Sequence, residues 1–220
     1  MKAVWLIVLN TLMLIETGWA QETLFQDDFK GKLGPGWSWV REHQEAWRVT
    51  QHGLEVRIEP GNMWGPQNNA RNLLVRSAPE TGESELEISV DVENKPSNQY
   101  EQVDLVWYFD DSNMVKLGQE LVDGKLSVVM GHEENDKTHT VAIIPLGSTS
   151  VRLRMVVKGA HIRGEFLAAG TNDWRIAGEC DAPASVNTKA KISLQFYQGS
   201  AEAEHWARVT GFSILKQQQK

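Results

Sequence analysis

The most constraining feature of this sequence is a repeated pattern of short runs in which apolar and polar residues alternate, with Gly, Pro, Asn or Asp between runs. Successive side chains of a β-strand point to opposite faces, so a period of two indicates a strand with one buried face. Fifteen such runs follow one another: LFQDDF, WSWVRE, AWRVT, GLEVRIE, NLLVRS, ELEISVDVE, QVDLVWYF, NMVKLGQELV, KLSVVMGH, HTVAIIP, VRLRMVVK, HIRGEFLA, WRIAGEC, KISLQFYQ and ARVTGFSIL. The pattern predicts an all-β sandwich or barrel.

The first twenty residues differ in character from the rest of the chain. Lys2 precedes an apolar run from Ala3 to Ile15, and small residues follow at Gly18 and Ala20. This is the layout of a secretory signal peptide, so we expect residues 1–20 to be removed. An uncleaved membrane anchor is the alternative, although the run is shorter than the about 20 residues that a bilayer span needs. The expected product is a secreted or periplasmic domain over residues 21–216, with a polar tail at 217–220 and no membrane contact.

Charge and cysteine content narrow the function classes. The formal net charge of −7 argues against nucleic acid as a partner, because its phosphates require basic clusters. The single cysteine, Cys180, cannot form an intrachain disulfide, so a hydrophobic core must hold the exported domain. The chain has no CxxC, HExxH, P-loop or GxSxG motif, which removes the enzyme classes that are easiest to read from sequence. We expect a monomer.

The stretch YEQVDLVWYFDDSNMVKLGQE, residues 100–120, predicts two strands with unequal faces. One face of the pair carries the apolar side chains that should belong to the core: Val103, Leu105, Trp107, Phe109, Val115, Leu117 and Leu121. The other face mixes polar groups with large apolar side chains: Tyr100, Gln102, Asp104, Val106, Tyr108, Met114, Lys116, Gly118 and Glu120. A face of this kind suits a groove that holds a ligand both apolar and hydroxylated.

A family resemblance rests on four stretches: DDFKGKLGPGWSWVREHQEAWRVTQHGLEVRI, YEQVDLVWYFDDSNMVKLGQELVDG, TNDWRIAGEC and ISLQFYQGSAEAEHWARVTGFSIL. With them the chain resembles the concanavalin A-like lectin/glucanase superfamily. It is most similar there to free-standing secreted proteins of unknown function and to the C-terminal β-sandwich of β-xylosidases. The resemblance implies a jelly roll of two antiparallel sheets whose concave face forms a glycan-type groove.

Several residues match the family pattern, and one departs from it in the central block. Tyr100, Gln102, Lys116 and Glu120 stand at the family's central polar positions, and Trp64 matches an aromatic residue before a variable loop. Asp104 stands where the family usually has Gly, which adds a carboxylate to the floor of the expected groove. Two further departures are Asn172-Asp173 in place of Asp-Gly, and Thr210-Gly211 in place of an acidic pair.

The ligand-binding residues that we predict are Gln102, Asp104, Tyr108, Lys116 and Glu120, with Trp64 and Arg76 at the rim. Amide and charged groups can bind sugar hydroxyls, while Tyr108 or Trp64 can stack on a pyranose ring. A Lys116–Glu120 salt bridge that neutralises the sheet face, and packing of Trp64 under its loop, are the structural alternatives.

Two other functions stay open at this point. In a glycoside-acting enzyme Asp104 and Glu120 would be the acid and base, since such a pair must lie about 5 to 10 Å apart across the scissile bond. That hypothesis predicts an abnormal pKa in a closed pocket. In a structural or protein-interaction module, loops would fill the concave face and Trp64 would be buried.

No cofactor is expected from the sequence, with a structural Ca²⁺ ion as an alternative for which Asp28 and Asp110 are the candidate ligands. Ca²⁺ takes six to eight oxygen ligands, and only local acidic pairs are visible here. An Asp-rich turn that makes its own backbone hydrogen bonds explains Asp110 without a metal. The six histidines lack paired ligand spacing, which argues against zinc.

Overall fold

The computed structural model of the protein describes residues 20–82, 84–186 and 188–218. Each of the fifteen alternating runs contains a β-strand, and a single-turn 3-10 helix covers Gln44–Ala46. The eight-stranded sheet contains β1 (Ala20–Asp27), β3 (Trp47–Thr50), β4 (Gly53–Arg57), β6 (Glu85–Glu93), β11 (Ser150–Lys158), β12 (His161–Ala168), β13 (Arg175–Asp181) and β15 (Trp206–Gln218). The seven-stranded sheet contains β2 (Ser38–Val40), β5 (Leu73–Ser77), β7 (Gln102–Asp110), β8 (Asn113–Val122), β9 (Lys125–Glu134), β10 (Lys137–Pro145) and β14 (Lys191–Tyr197).

The two sheets form a sandwich in which every described strand pair is antiparallel. One sheet has the order β13-β12-β11-β6-β15-β4-β3, with β1 paired to β15, and the other has the order β10-β9-β8-β7-β14-β5-β2. This arrangement is consistent with a jelly roll and confirms the predicted fold class. The core lies between the sheets, where Leu105 and Leu117 of one sheet and Val90 and Leu153 of the other are fully buried. Burying each such side chain contributes about 1.5 to 3 kcal/mol.

The hairpin between β8 and β9 shows how the sequence sets local register. Its turn residues, Asp123 and Gly124, both have positive φ, 49° and 71°, as a two-residue turn between twisted strands requires. The turn pairs Val122 with Lys125 and Glu120 with Ser127. Side chains at every second position of β8, from Met114 to Glu120, therefore face away from the core.

The outer face of the seven-stranded sheet is partly covered by the loop between β4 and β5, residues 58–72. Met63 and Ala70 of this loop are fully buried against Val75, Val106 and Met114 of the sheet. This second apolar cluster accounts for the large side chains that interrupt the polar face of residues 100–120. The loop covers the face over β5 and over the Met114 end of β8, and leaves open the part around Glu120, Val129 and Ile143.

The first and last strands, β1 and β15, pair with each other. Ala20 lies opposite Gln218, and Gln217 pairs with Gln21 and Glu85, so β15 continues two residues into the predicted tail at 217–220. The expected signal peptide lies outside the described residues except for Ala20. Its cleavage before Gln21 would remove one residue from β1. Within the described ranges there is no helix of the length and apolarity needed to cross a membrane.

Candidate functional site

A cleft of about 550 Å³ opens on the uncovered part of the outer face, beside the loop that carries Trp64. Its volume lies in the range of small-molecule sites. Apolar surface comes from Trp64, Tyr100, Val122, Val129 and Ile143, and polar groups come from Asn62, Gln102, Lys116, Glu120, Asp123, Thr140 and Gln198. Tyr100 and Ile143 are 47% and 50% exposed, which is unusual for large apolar side chains in this protein.

The floor of the cleft is a row of hydrogen-bonded polar side chains on β7 and β8. Lys116 is only 2% exposed, and its Nζ donates to Gln102 Oε1 at 2.5 Å and to Glu120 Oε2 at 3.1 Å. Gln102 in turn donates its amide to the backbone carbonyl of Tyr100 at 2.8 Å. The contacts arise because Lys116 and Glu120 share one strand face and Gln102 lies directly opposite Glu120. The row is fixed by register before any ligand arrives.

Trp64 forms the aromatic wall, and its loop holds it in place. The Asn62 side chain accepts a hydrogen bond from the backbone N–H of Trp64 at 3.0 Å and donates one to the backbone carbonyl of Trp64 at 2.9 Å. The indole lies over Gly131, where a Cβ atom would overlap the ring. Its centroid is 4.8 Å from Lys116 Nζ, within the range of a cation–π contact. The residue is partly buried and lines the cleft, so its packing leaves part of the ring available to a ligand.

The anchor of this loop is a buried carboxylate that the sequence reasoning missed. Glu133 is fully buried, and both of its oxygens accept the Gly65 N–H, at 3.1 and 3.2 Å. Burial raises the pKa of Glu133 to about 7, against the opposing effects of the Gly65 hydrogen bond and of Lys116. The alternation of β9 puts Glu133 on the same outer face as Gly131, and this pattern could have predicted its position from the sequence.

Asp104 lies beneath the cleft surface and does not line it. It is 1% exposed, and neither carboxylate oxygen has a hydrogen-bond partner in the described part of the protein. The Tyr197 hydroxyl lies near the same carboxylate without meeting hydrogen-bond geometry. Burial, opposed by Lys116 and assisted by Glu120, raises the pKa of Asp104 to about 6. The predicted direct contact between Asp104 and a ligand is therefore corrected to an electrostatic influence from below.

The structure brings together Gln102, Lys116, Glu120 and Trp64 of the predicted site residues, but it does not bring Arg76 to the rim. Arg76 lies on the core side of β5, with Leu74, and its guanidinium carbon is 3.2 Å from the ring centroid of Phe25. Burial lowers the pKa of this guanidinium. Its position at the cleft rim was a wrong prediction, because both faces of β5 carry apolar residues and alternation alone cannot tell them apart.

Tyr108 also differs from the prediction. It lies on the outer face, as expected, but the loop covers it with the second apolar cluster and leaves it 5% exposed. Its hydroxyl donates to Asp111 Oδ1 at 2.6 Å, and Arg41 binds the other oxygen of the same carboxylate at 2.6 Å. The ring is thus part of the loop packing and cannot stack on a ligand in the cleft.

The two calcium candidates are placed differently. Asp110 Oδ1 accepts hydrogen bonds from the Ser112 N–H at 2.9 Å and from the Asn113 amide at 2.8 Å, which is the self-contained turn considered above. Asp28 is exposed and lies 4.0 Å from Lys30. Among the described residues no three acidic, His or Cys side chains group together as metal ligands.

Comparison with known proteins adds a family and a set of similar folds. The profile of the β-xylosidase C-terminal concanavalin A-like domain matches residues 26–201. Among solved structures, the GH43 protein BlXynB from Bacillus licheniformis aligns with a TM-score of 0.74 and 18% identity over 86% of this chain and 38% of its own. The xylan β-1,4-xylosidase from Bacillus halodurans C-125 gives 0.73 and 16%, over 88% and 39%.

A third similar structure is matched over nearly the whole of its solved chain. A functionally unknown protein from Saccharomyces cerevisiae aligns with a TM-score of 0.62 and 15% identity over 81% of this chain and 95% of its own. By contrast, this chain spans about two-fifths of the length of the two bacterial glycosidase chains. No curated protein sequence matches the chain. Since the family profile covers most of the sequence, the chain belongs to the family of the β-xylosidase C-terminal concanavalin A-like domain.

Proposed function

We propose that the protein is an exported, non-catalytic, carbohydrate-binding β-sandwich that holds a glycan in the cleft beside Trp64. The observation that carries the proposal is the indole of Trp64 held 4.8 Å from Lys116 Nζ, so that it borders the Gln102–Lys116–Glu120 row at the edge of an open cleft. A pyranose ring offers an apolar face and a rim of hydroxyls. An aromatic face and a row of amide, ammonium and carboxylate groups complement these two surfaces.

The arrangement also favours binding over a purely structural role. A structural module would have its outer face filled by loops, and here the loop covers only one part of that face. The row is held in place by its own hydrogen bonds, so little side-chain entropy is lost on binding. Glu120 Oε1 accepts no hydrogen bond within the described part of the protein and is free to accept one from a ligand hydroxyl.

One observation favours the glycoside-acting alternative, namely a carboxyl group with a pKa of about 6 near a second carboxylate. A catalytic acid must reach the glycosidic oxygen, however, and Asp104 is covered by the floor. Asp104 would have to become exposed for Asp104 and Glu120 to flank a scissile bond. The binding function needs no such rearrangement.

The direct test is a titration of the mature domain with polysaccharides. β-1,4-xylan comes first, because a xylan β-1,4-xylosidase is among the similar structures, followed by xyloglucan, β-glucan and algal glycans. We expect a shift of intrinsic tryptophan fluorescence and a matching calorimetric signal. Trp64→Ala should abolish both, and Glu120→Gln should weaken binding at least about tenfold. Trp206→Phe is the matched control, because Trp206 lies on the eight-stranded sheet.

Two outcomes would count against the proposal. Binding that survives in Trp64→Ala would place the ligand elsewhere, and a lack of response to every glycan would reject the binding function. Slow release of reducing sugar that Glu120→Gln abolishes would support the enzyme instead. Export is tested separately, since amino-terminal sequencing of the secreted protein should begin at Gln21.

A further inference from the structure

The charged groups around the cleft are unequally distributed. Lys116 is the cationic residue among the lining residues that the structure describes, and its ammonium group is engaged by Glu120, Gln102 and the ring of Trp64. Its charge is therefore largely neutralised by the row in which it lies. A ligand anion entering the cleft would have to compete with Glu120 for a side chain that is almost completely buried.

Carboxylates outnumber this cation. Glu120 and Asp123 line the cleft, and Asp104 lies under its floor without a hydrogen-bond partner among the described residues. Asp123 stands at the tip of the β8–β9 hairpin, where its Oδ1 accepts from the Gln99 amide at 3.2 Å. Behind Trp64, Glu133 adds a fourth carboxyl group. At neutral pH the cleft therefore has a negative potential.

We infer that the cleft selects neutral or amine-bearing glycans and rejects glycans that carry carboxylate groups, with Asp123 and Asp104 as the residues that set this preference. The inference rests on the carbohydrate-binding function proposed above. One uncompensated charge about 10 Å from a ligand carboxylate, at an effective dielectric constant of about 50, changes an affinity roughly threefold, so Asp123 and Asp104 together change it about tenfold. We therefore expect acidic glycans to bind about tenfold more weakly than neutral ones of the same backbone.

The experiment uses matched polysaccharide pairs. Glucuronoxylan and polygalacturonate are each compared with their carboxyl-reduced, neutral forms by calorimetry at about 20 mM and about 500 mM salt. The reduced forms should bind about tenfold more tightly at low salt, and the difference should shrink at high salt because salt screens the repulsion. Asp104→Asn and Asp123→Asn should each raise the ratio of acidic to neutral affinity by about threefold or more. Asp28→Asn, which removes one exposed charge outside the cleft lining, should leave the ratio unchanged.

The outcomes separate this inference from the function on which it rests. Equal or tighter binding of the acidic forms, or a ratio that ignores salt and both cleft variants, overturns the inference and leaves glycan binding intact. An absence of binding to every neutral and acidic glycan overturns the proposed function, and this inference falls with it. A ratio that rises equally in Asp28→Asn would show that net charge, and not the cleft, controls selection.

Discussion

Asp104 and Gly118 form a closely packed pair beneath the floor of the cleft, where the side chain at one position limits the space at the other. The two residues lie directly opposite each other on β7 and β8, and the Asp104 carboxylate fills the space that a side chain at Gly118 would need. A Cβ atom at Gly118 would overlap Asp104 Oδ1 and lie 2.7 Å from its Cγ and 3.0 Å from the Val103 carbonyl oxygen. We therefore predict that Gly118→Ala is destabilising only while Asp104 is present.

The magnitude follows from the two contacts. Forcing a methyl group against a buried, closely packed carboxylate costs about 3 kcal/mol, at the upper end of typical overpacking. Replacing Gly within a strand recovers up to about 1 kcal/mol of backbone entropy, which leaves a net loss of about 2 kcal/mol. In an Asp104→Gly background the nearest remaining atom is the Val103 carbonyl oxygen, which needs to shift by a few tenths of an ångström. The same substitution should then cost less than about 0.5 kcal/mol.

A double-mutant cycle measured by urea denaturation tests this coupling. We expect a coupling energy of about 1.5 to 2 kcal/mol, and a melting temperature about 4 to 8 °C lower for Gly118→Ala alone. Asp104→Asn is the control, because it keeps the shape of the side chain and should give no rescue. Additivity of Gly118→Ala and Asp104→Gly within about 0.5 kcal/mol would refute the reasoning, and so would rescue by Asp104→Asn.

Three further outcomes are expected. The pKa of Asp104 is about 6 in the folded protein and exceeds its value in the unfolded chain. Protonation of Asp104 therefore stabilises the fold below about pH 4, and this stabilisation is lost as the pH rises through about 6. Asp104→Asn should therefore stabilise the protein by about 2 kcal/mol at pH 7.5 and hardly at pH 4, and denaturation series without this pH dependence would contradict the assignment. Lys116→Met leaves Glu120 buried without its partner and should lower the free energy of unfolding by about 3 kcal/mol, measured in urea at pH 7. Glu101 is fully buried, is hydrogen-bonded to His205 and accepts the N–H groups of Ser97 and Asn98, so Glu101→Gln should cost about 2 kcal/mol and expose residues 94–101 to limited proteolysis.

The sequence predicts the strands of this fold well, because each strand buries one face and the alternation is visible over nearly the whole chain. It also separates the two faces of β7 and β8 correctly, since Leu105 and Leu117 enter the core while Gln102 and Lys116 do not. The tail was predicted less well. Gln217 and Gln218 lack any apolar signal, and their pairing with β1 depends on a strand at the other end of the chain.

The site is only partly predictable, and the reason is the range of the contacts. Lys116 and Glu120 are four residues apart on one strand face, so their contact depends only on nearby sequence. Asn62 and Gln198 reach the cleft through the docking of loops far away in sequence, which no local pattern records. Gln195 lies beside Asp104 because β14 pairs with β7. The alternation in KISLQFYQ predicts which sheet face Gln195 is on, but it does not predict which strand lies next to it.

Trp64 lies on a loop, while the polar row lies on strands β7 and β8, and this makes the wall of the cleft separable from its floor. The floor belongs to β7 and β8, whereas the wall is attached through the Gly65 N–H to Glu133, through the burial of Met63 and Ala70 against the sheet, and through the contact of the indole with the bare backbone of Gly131. A transplanted loop that keeps these three attachments could present a different aromatic surface over an unchanged row of polar groups. The domain therefore has the layout of a scaffold on which ligand preference can be redesigned one surface at a time.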